Sequence, residues 1–340
     1  MKSLLLIPIV GLYFVCNFWS GDEDGKLPKI TGVNFVGTPR PIEENAISNV
    51  KVINADWIGL TPYSFCSRNN PEIIFNSKWQ WWGEKTKGIE KCIEYAKAND
   101  IKIMIKPHIW VKGDGWAGEL KFETEEDWLL WEKSYREYIL FYAKIAQNSD
   151  VELFCIGTEI RNSVSIRNKF WSNLIKEIRT LYHGKLTYAA NWDNYEQVQF
   201  WSQLDFIGID AYFPIDNSEK PSIDQLNNGW KKHIDALSSF SEQQEKQILF
   251  TEYGYRSIAK CAGKHWEIPD NGYSYKGNAD LNSQTNAYEA LYQSIWNQPW
   301  FAGGFLWKWY SKKESGGSNN SDFTPQNKPV EKTIRKYYSK

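Results

Sequence analysis

Residues 151–159 read V-E-L-F-C-I-G-T-E, a run of apolar and β-branched residues that stops at a carboxylate. A strand covered on both faces shows no polar alternation, so this run predicts a buried parallel strand. A glutamate at the lip of such a strand loses hydration unless it has a partner or a chemical role there. Residues 247–255, Q-I-L-F-T-E-Y-G-Y, have the same shape and deliver Glu252 as this run delivers Glu159. Two buried strands, each followed by Thr-Glu, make a candidate carboxylate pair.

Outward from these two stretches, strand-like runs alternate with amphipathic segments along the chain. Strands are expected at 30–36, 57–63, 101–109, 152–158, 186–191, 206–212, 248–252 and 302–307. Helices are expected at 86–99, 124–147, 168–182, 223–240, 283–297 and 329–338. The links after the first and fifth strands, near residues 43–50 and 195–203, are shorter and less periodic. Alternation of this kind gives βαβ units and a parallel sheet. Eight units in a chain of 340 residues predict a closed (β/α)8 barrel. An open doubly wound sheet has no support from a glycine-rich phosphate loop, since neither G-x-G-x-x-G nor G-x-x-x-x-G-K-[ST] follows a strand. No Pro- or Ser-rich linker divides the chain, so residues 29–340 read as one domain. Two loops look long, 66–83 and 256–281.

The N-terminus reads as a targeting segment over residues 1–28. Lys2 precedes an apolar run over residues 4–15 that closes at Cys16, the length of a signal-peptide core and too short to span a bilayer. A Cys at this point is similar to a bacterial lipoprotein signal. The expectation is export, either periplasmic, lipid-anchored at the outer membrane through Cys16, or secreted.

Composition narrows the partners. The net charge is -1, which gives no field to attract nucleic acid. Aromatic residues are 16% of the chain and 18 of them are Trp, a number that points to sugar stacking beyond core filling, with about half of the Trp expected in the core. There is no C-x-x-C pair and only four His, so no metal or other cofactor is expected. Cys92 and Cys155 read as buried small hydrophobes, while Cys66 and Cys261, both in expected loops, are a candidate disulfide.

In a (β/α)8 barrel the carboxyl ends of the strands and the loops after them form the functional face. There the chain places Lys106, His108 and Trp110, then Glu159 and Arg161, Asn191 to Asp193, Asp210 and Tyr212, Glu252, and Trp307. Glu159 and Glu252 fall on strands four and seven, across the barrel mouth. Carboxylates flanking a bound glycosidic bond are the equipment for its hydrolysis, one protonated and one ionised. Tyr212, Arg161 and His108 are candidates for setting that asymmetry. Trp110, Trp116 and Trp192 are candidate stacking platforms. The run Trp79-Gln80-Trp81-Trp82 is either a loop staple or an outer binding site. Asp210 reads as a hydrogen-bonding or loop-capping residue. Glu123, Glu125, Glu126 and Asp127 read as the first turn of a helix, where negative charge is favoured.

These motifs, taken in order, resemble glycoside hydrolase family 113 of the clan A retaining glycosidases. They are Lys106-Pro107-His108, Gly113-Asp114-Gly115-Trp116, Gly118-Glu119, Ile156-Gly157-Thr158-Glu159, the run from Asp205 to Tyr212, and Thr251-Glu252-Tyr253-Gly254-Tyr255. The resemblance spans roughly residues 30–310. It implies an endo-acting β-1,4-mannanase with Glu159 as acid/base and Glu252 as nucleophile. It further implies that Tyr212 orients the nucleophile and that Trp307 floors the sugar site. Much of the clan has Asn before the acid/base, and this chain has Thr158. Contact with the sugar 2-hydroxyl then falls to Lys106, His108 or Asn191. The substrate-binding set is therefore Lys106, His108, Trp116, Asn191, Trp192 and Trp307. The alternatives are a hydrolase of another β-linked glycan and an exported sugar-binding barrel without turnover.

Overall fold

The computed structural model describes residues 28–113, 115–267 and 278–339. In chain order its strands are β1 (Ile30–Phe35), β2 (Trp57–Leu60), β3 (Tyr63–Ser67), β4 (Asn70–Ile74), β5 (Lys102–Ile105), β6 (His108–Lys112), β7 (Leu153–Thr158), β8 (Lys185–Asn191), β9 (Ile207–Asp210), β10 (Ile248–Tyr253) and β11 (Phe301–Trp309). The helices are α1 (Asn45–Ser48), α2 (Thr86–Ala98), α3 (Glu125–Asn148), α4 (Arg161–Ile166), α5 (Asn168–Leu181), α6 (Ile223–Gln244), α7 (Leu281–Ile295) and α8 (Val330–Tyr338).

Eight strands close a parallel barrel in the order β1-β11-β10-β9-β8-β7-β5-β2, as the alternation predicts. Strands β1, β2, β7, β9 and β10 are buried along their whole length, which is why their sequences carry no alternation. Inside the barrel, Ile30, Trp57, Met104, Leu153, Cys155, Leu249 and Phe305 form an apolar plug. Toward the carboxyl ends of the strands the buried residues turn polar, with Asn34, Lys106, Asp210, Thr251 and Glu252. The larger apolar layer lies between barrel and helices, where Trp131, Tyr135, Trp171, Tyr188 and Phe200 pack ring on ring. A Cβ on Gly157 would sit 2.5 Å from the Tyr135 hydroxyl, so the motif ahead of Glu159 needs a glycine for helix α3 to dock.

The helix starts follow local rules. Thr124 caps α3 by accepting from the Asp127 N–H at 3.1 Å, and Glu125, Glu126 and Asp127 occupy its first turn as expected. Ser222 and Gln225 form a capping box on α6. The weakly periodic links are indeed reduced. After β1 there are only α1 and one 3-10 turn, and after β8 two 3-10 turns. Helix α8 closes beside β1, where the Tyr338 hydroxyl donates to the Gly32 carbonyl at 2.8 Å.

Three expectations are corrected. The strands expected at 57–63 and 101–109 each break at a proline, Pro62 and Pro107. Proline has no N–H for the ladder, so the chain leaves the barrel there. The two departing segments pair with each other: β3 lies parallel to β6 in register Tyr63↔His108, and β4 adds antiparallel to β3. The stretch 66–83 is thus no plain loop; it contributes to a three-stranded sheet standing above the barrel rim. Cys66 and Cys261 do not bridge. Both are buried as free thiols, Cys66 within β3. Trp57, Trp128, Trp131, Trp171, Trp201, Trp230, Trp296, Trp300 and Trp309 are in the core, close to the share expected. Cys16 and the targeting segment lie outside the described residues, as does the 268–277 part of the second long loop. Among the described residues no helix is long and apolar enough to cross a membrane.

Candidate active site

Strand β7 ends at Thr158, whose hydroxyl donates to the Pro107 carbonyl at 3.0 Å and ties β7 to the turn after β5. The next residue, Glu159, has φ 53°, in the left-handed region that residues with a Cβ rarely adopt. Such a backbone persists only where the surroundings hold it. Here the Glu159 N–H donates to the Ala189 carbonyl at 2.8 Å, and the Trp116 indole N–H donates to Oε2 at 2.6 Å. The guanidinium of Arg161 lies over the Trp116 ring, 5.0 Å from its centroid, and pairs with Asp193 on the other side. Burial, and then the negative charge of Glu252, push the Glu159 carboxyl up to about 7; Trp116, Lys106 and Arg161 oppose the shift.

Glu252 sits near the end of β10 in a different setting. The buried Lys106 ammonium contacts its Oε1 and lies 3.1 Å from Asp210 Oδ2. The Tyr212 hydroxyl donates to Oε2 at 2.7 Å. Below them, the Thr251 hydroxyl donates to Asp210 Oδ1 at 2.7 Å, and the Asn34 amide donates to the Thr251 carbonyl at 3.0 Å. The barrel register puts Glu252, Asp210 and Asn191 in one layer. Burial disfavours a charged Lys106, but the Asp210 and Glu252 carboxylates outweigh it and hold its pKa above the ordinary lysine value. Burial, and then the Glu252 charge, raise Asp210 well above the carboxylate range. Tyr212 is raised for the same two reasons and stays a protonated donor.

The predicted binding residues divide. Lys106 is not among the residues that line the cleft: its side chain is 0% exposed and its ammonium is taken by Asp210 and Glu252. The sequence could not show this, because the lysine lies just past the strand and its partners come from β9 and β10. His108 lines the cleft. Burial and the Lys106 charge push its pKa well below the usual histidine value, so it is a neutral imidazole. Its Nε2 is 3.6 Å from Glu252 Oε1, too far for a hydrogen bond, and has no partner. Its ring stacks at 14° on Trp307, with centroids 6.0 Å apart. Asn191 also lines the cleft with an unpartnered Oδ1. Trp116 serves Glu159 as a donor as well as walling the site. Trp192 stands 5.9 Å from Trp266 and packs its edge on Phe213.

These side chains enclose two adjoining hollows. One of about 530 Å³ is lined by His108, Trp116, Glu159, Glu252 and Trp307. The other, of about 580 Å³, is lined by Glu159, Arg161, Asn191, Trp192, Tyr212 and Trp266. Trp116 and Glu159 belong to both. The sequence reading missed Tyr63, which packs on His108 at 5.1 Å, and Trp266. Tyr63 was within reach, because Pro62 already marks the point where the chain leaves β2. Trp266 lies on a link with no periodic signal. Asp114, inside one of the quoted motifs, lies outside the described residues. Among the described residues no three His, Cys, Asp or Glu side chains group as metal ligands would. The arrangement offers two acids over one hollow, one held protonated near neutrality and the other supplied with two donors, between aromatic walls.

The family model of Glycoside Hydrolase Family 113 matches residues 41–328. The family 113 β-mannanase AaManA from Alicyclobacillus acidocaldarius, solved in complex with ManMIm, is 27% identical. It superposes with a TM-score of 0.80 over 92% of this chain and 98% of that one. A second family 113 β-1,4-mannanase, 23% identical, has a TM-score of 0.78 over 92% and 99%. A family 5 mannosidase from Rhizomucor miehei, at 11% identity and a TM-score of 0.60 over 93% and 94%, shares the fold alone. No protein with a curated description matches the chain.

Proposed function

The chain belongs to glycoside hydrolase family 113, and on that footing we propose that it cleaves β-1,4-linked mannan with retention of configuration, Glu159 acting as acid/base and Glu252 as nucleophile. The observation that carries this reading is the unequal surroundings of the two acids. Glu159, pushed up to about 7, keeps its proton well above the ordinary carboxyl range, up to about neutral pH. Glu252 accepts from Lys106 and Tyr212.

In the first step a Glu252 oxygen bonds to the anomeric carbon as the bond to the leaving oxygen breaks, and the Glu159 proton passes to that oxygen. In the second step Glu159, now a carboxylate, takes a proton from water, whose oxygen displaces Glu252 from the same carbon. The β configuration is inverted twice and so kept. Tyr212 and Lys106 hold the nucleophile in place and receive its charge back when it leaves. His108 Nε2 and Asn191 Oδ1, both without protein partners, are the groups offered to sugar hydroxyls. The mannan preference is supported by the 27% identical β-mannanase. For the N-terminus we propose export, supported by the apolar run that closes at Cys16.

A reducing-sugar assay over β-mannans and β-glucans, with proton NMR of the first anomer released, tests the reading. Mannan cleavage with the β-anomer first, abolished in Glu252→Ala, is the expected result. Appearance of the α-anomer first, or undiminished hydrolysis by Glu252→Ala, overturns the mechanism; activity on β-glucan alone overturns the substrate. Metabolic labelling with a fatty-acid analogue, lost in Cys16→Ser, tests the lipid anchor.

A further inference from the structure

The Trp79-Gln80-Trp81-Trp82 run separates into two roles. Trp82 packs against the core. Gln80 is buried and tied at both ends, its amide donating to the Tyr63 carbonyl at 2.7 Å and its Oε1 accepting from the Ser77 N–H at 2.8 Å. With Gln80 pinned inward, its neighbours are turned out: Trp79 is 89% and Trp81 48% exposed. Trp110, on the adjoining β6, is 59% exposed. An indole left in water gives up the burial that usually justifies it, and a cluster of three marks a recognition surface.

These rings border a third hollow of about 510 Å³, with Glu84 and Lys308 as its charged groups. It shares Tyr63, Trp110 and Trp307 with the hollow that holds Glu159 and Glu252. We propose that this hollow binds further sugar units of the glycan being cut, on the glycone side of the scissile bond. The inference rests on the functional reading above and extends it. Flat apolar faces beside a carboxylate and an ammonium suit a pyranose, whose C–H face stacks while its hydroxyls pair. The side follows from which residues are shared. The acid must face the leaving oxygen, and of the two acids only Glu159 borders the hollow of Trp192 and Trp266, Glu252 bordering only the other, so the leaving sugars extend that way. The Trp79 and Trp81 hollow instead meets the Glu252 hollow at Tyr63, Trp110 and Trp307 and shares no lining residue with that of Trp192 and Trp266.

The test compares wild type with Trp79→Ala/Trp81→Ala, and with Trp79→Phe/Trp81→Phe as the variant that keeps ring faces. Kinetics are measured on β-1,4-mannooligosaccharides of three and six units, the hexasaccharide carrying an isotope at its reducing end to show where it is cut. The Ala pair is expected to lower kcat/KM on the hexasaccharide about tenfold, to leave the trisaccharide nearly unchanged, and to shift the cut toward the non-reducing end. The Phe pair should restore most of the loss. A loss of equal size on both substrates, or an unchanged rate and cutting position, overturns the proposal while leaving the hydrolase reading in place. Calorimetric binding of mannohexaose and cellohexaose to Glu252→Ala provides the other arm. If wild type cuts no β-glycan yet hexasaccharide binding depends on Trp79 and Trp81, the hydrolase reading falls and the glycan site stands. If neither hexasaccharide binds in a way that depends on the two rings, the site itself is refuted.

Discussion

Replacing Glu159 by Gln keeps the side chain's shape and its acceptor for Trp116 but removes its titration. In the wild type the folded protein holds this proton up to about 7, against an ordinary value of 4.5. Between those values the native state keeps a proton that the unfolded chain has released. Stability therefore falls as pH rises through this window, and above it the whole penalty is present. A gap of roughly 2.5 pH units at 1.36 kcal/mol each is on the order of 3 kcal/mol. Because the side chain is partly open to the cleft, screening reduces this to about 1–3 kcal/mol. Urea unfolding of both proteins at about pH 4 and about pH 8 reads the effect. Glu159→Gln should match the wild type at the lower pH and exceed it by that amount at the higher. Its kcat should fall by about 10²–10⁴, and the loss of activity above neutrality should vanish from the residual rate. A variant with no stability gain at about pH 8 would refute the argument that burial and Glu252 hold this acid protonated.

Lys106→Met removes the only cation touching Glu252 and Asp210 among the described residues. It leaves the buried Glu252 and Asp210 carboxyl groups without their shared cation, so a loss of about 3–5 kcal/mol is expected in thermal or denaturant melts. Tyr212→Phe deletes one hydrogen bond to Glu252 Oε2. A bond to a charged group contributes about 1.5–3 kcal/mol, so kcat should drop by about 10–10² with KM nearly constant. Burial pushes the Cys66, Cys92 and Cys155 thiols up to about 12. A thiol reagent at neutral pH should therefore leave them unmodified in the native protein and modify them in denaturant, and a reductant should not shift the melting temperature.

The order of strands and helices was legible because a barrel strand buried on both faces must be apolar throughout and a covering helix must be apolar on one side. Both patterns are local and survive in a single sequence. The two Thr-Glu strand ends were legible for the same reason, since a carboxylate closing an apolar run is visible without knowing what it faces. The peeling of β3 and β6 from the barrel was half legible: Pro62 and Pro107 announce that the ladder stops, but that the two freed segments then pair is a meeting of residues far apart in the chain. Lys106 shows the limit most plainly. In sequence it is a cation at the rim, suited to a ligand. Only the closed barrel places its ammonium between Asp210 of β9 and Glu252 of β10, where Coulomb attraction at short range outweighs the cost of burial. The same closure raises the pKa of Glu159, because the shift comes from desolvation and from a charge on another strand, and neither is a property of the residues beside it in the chain.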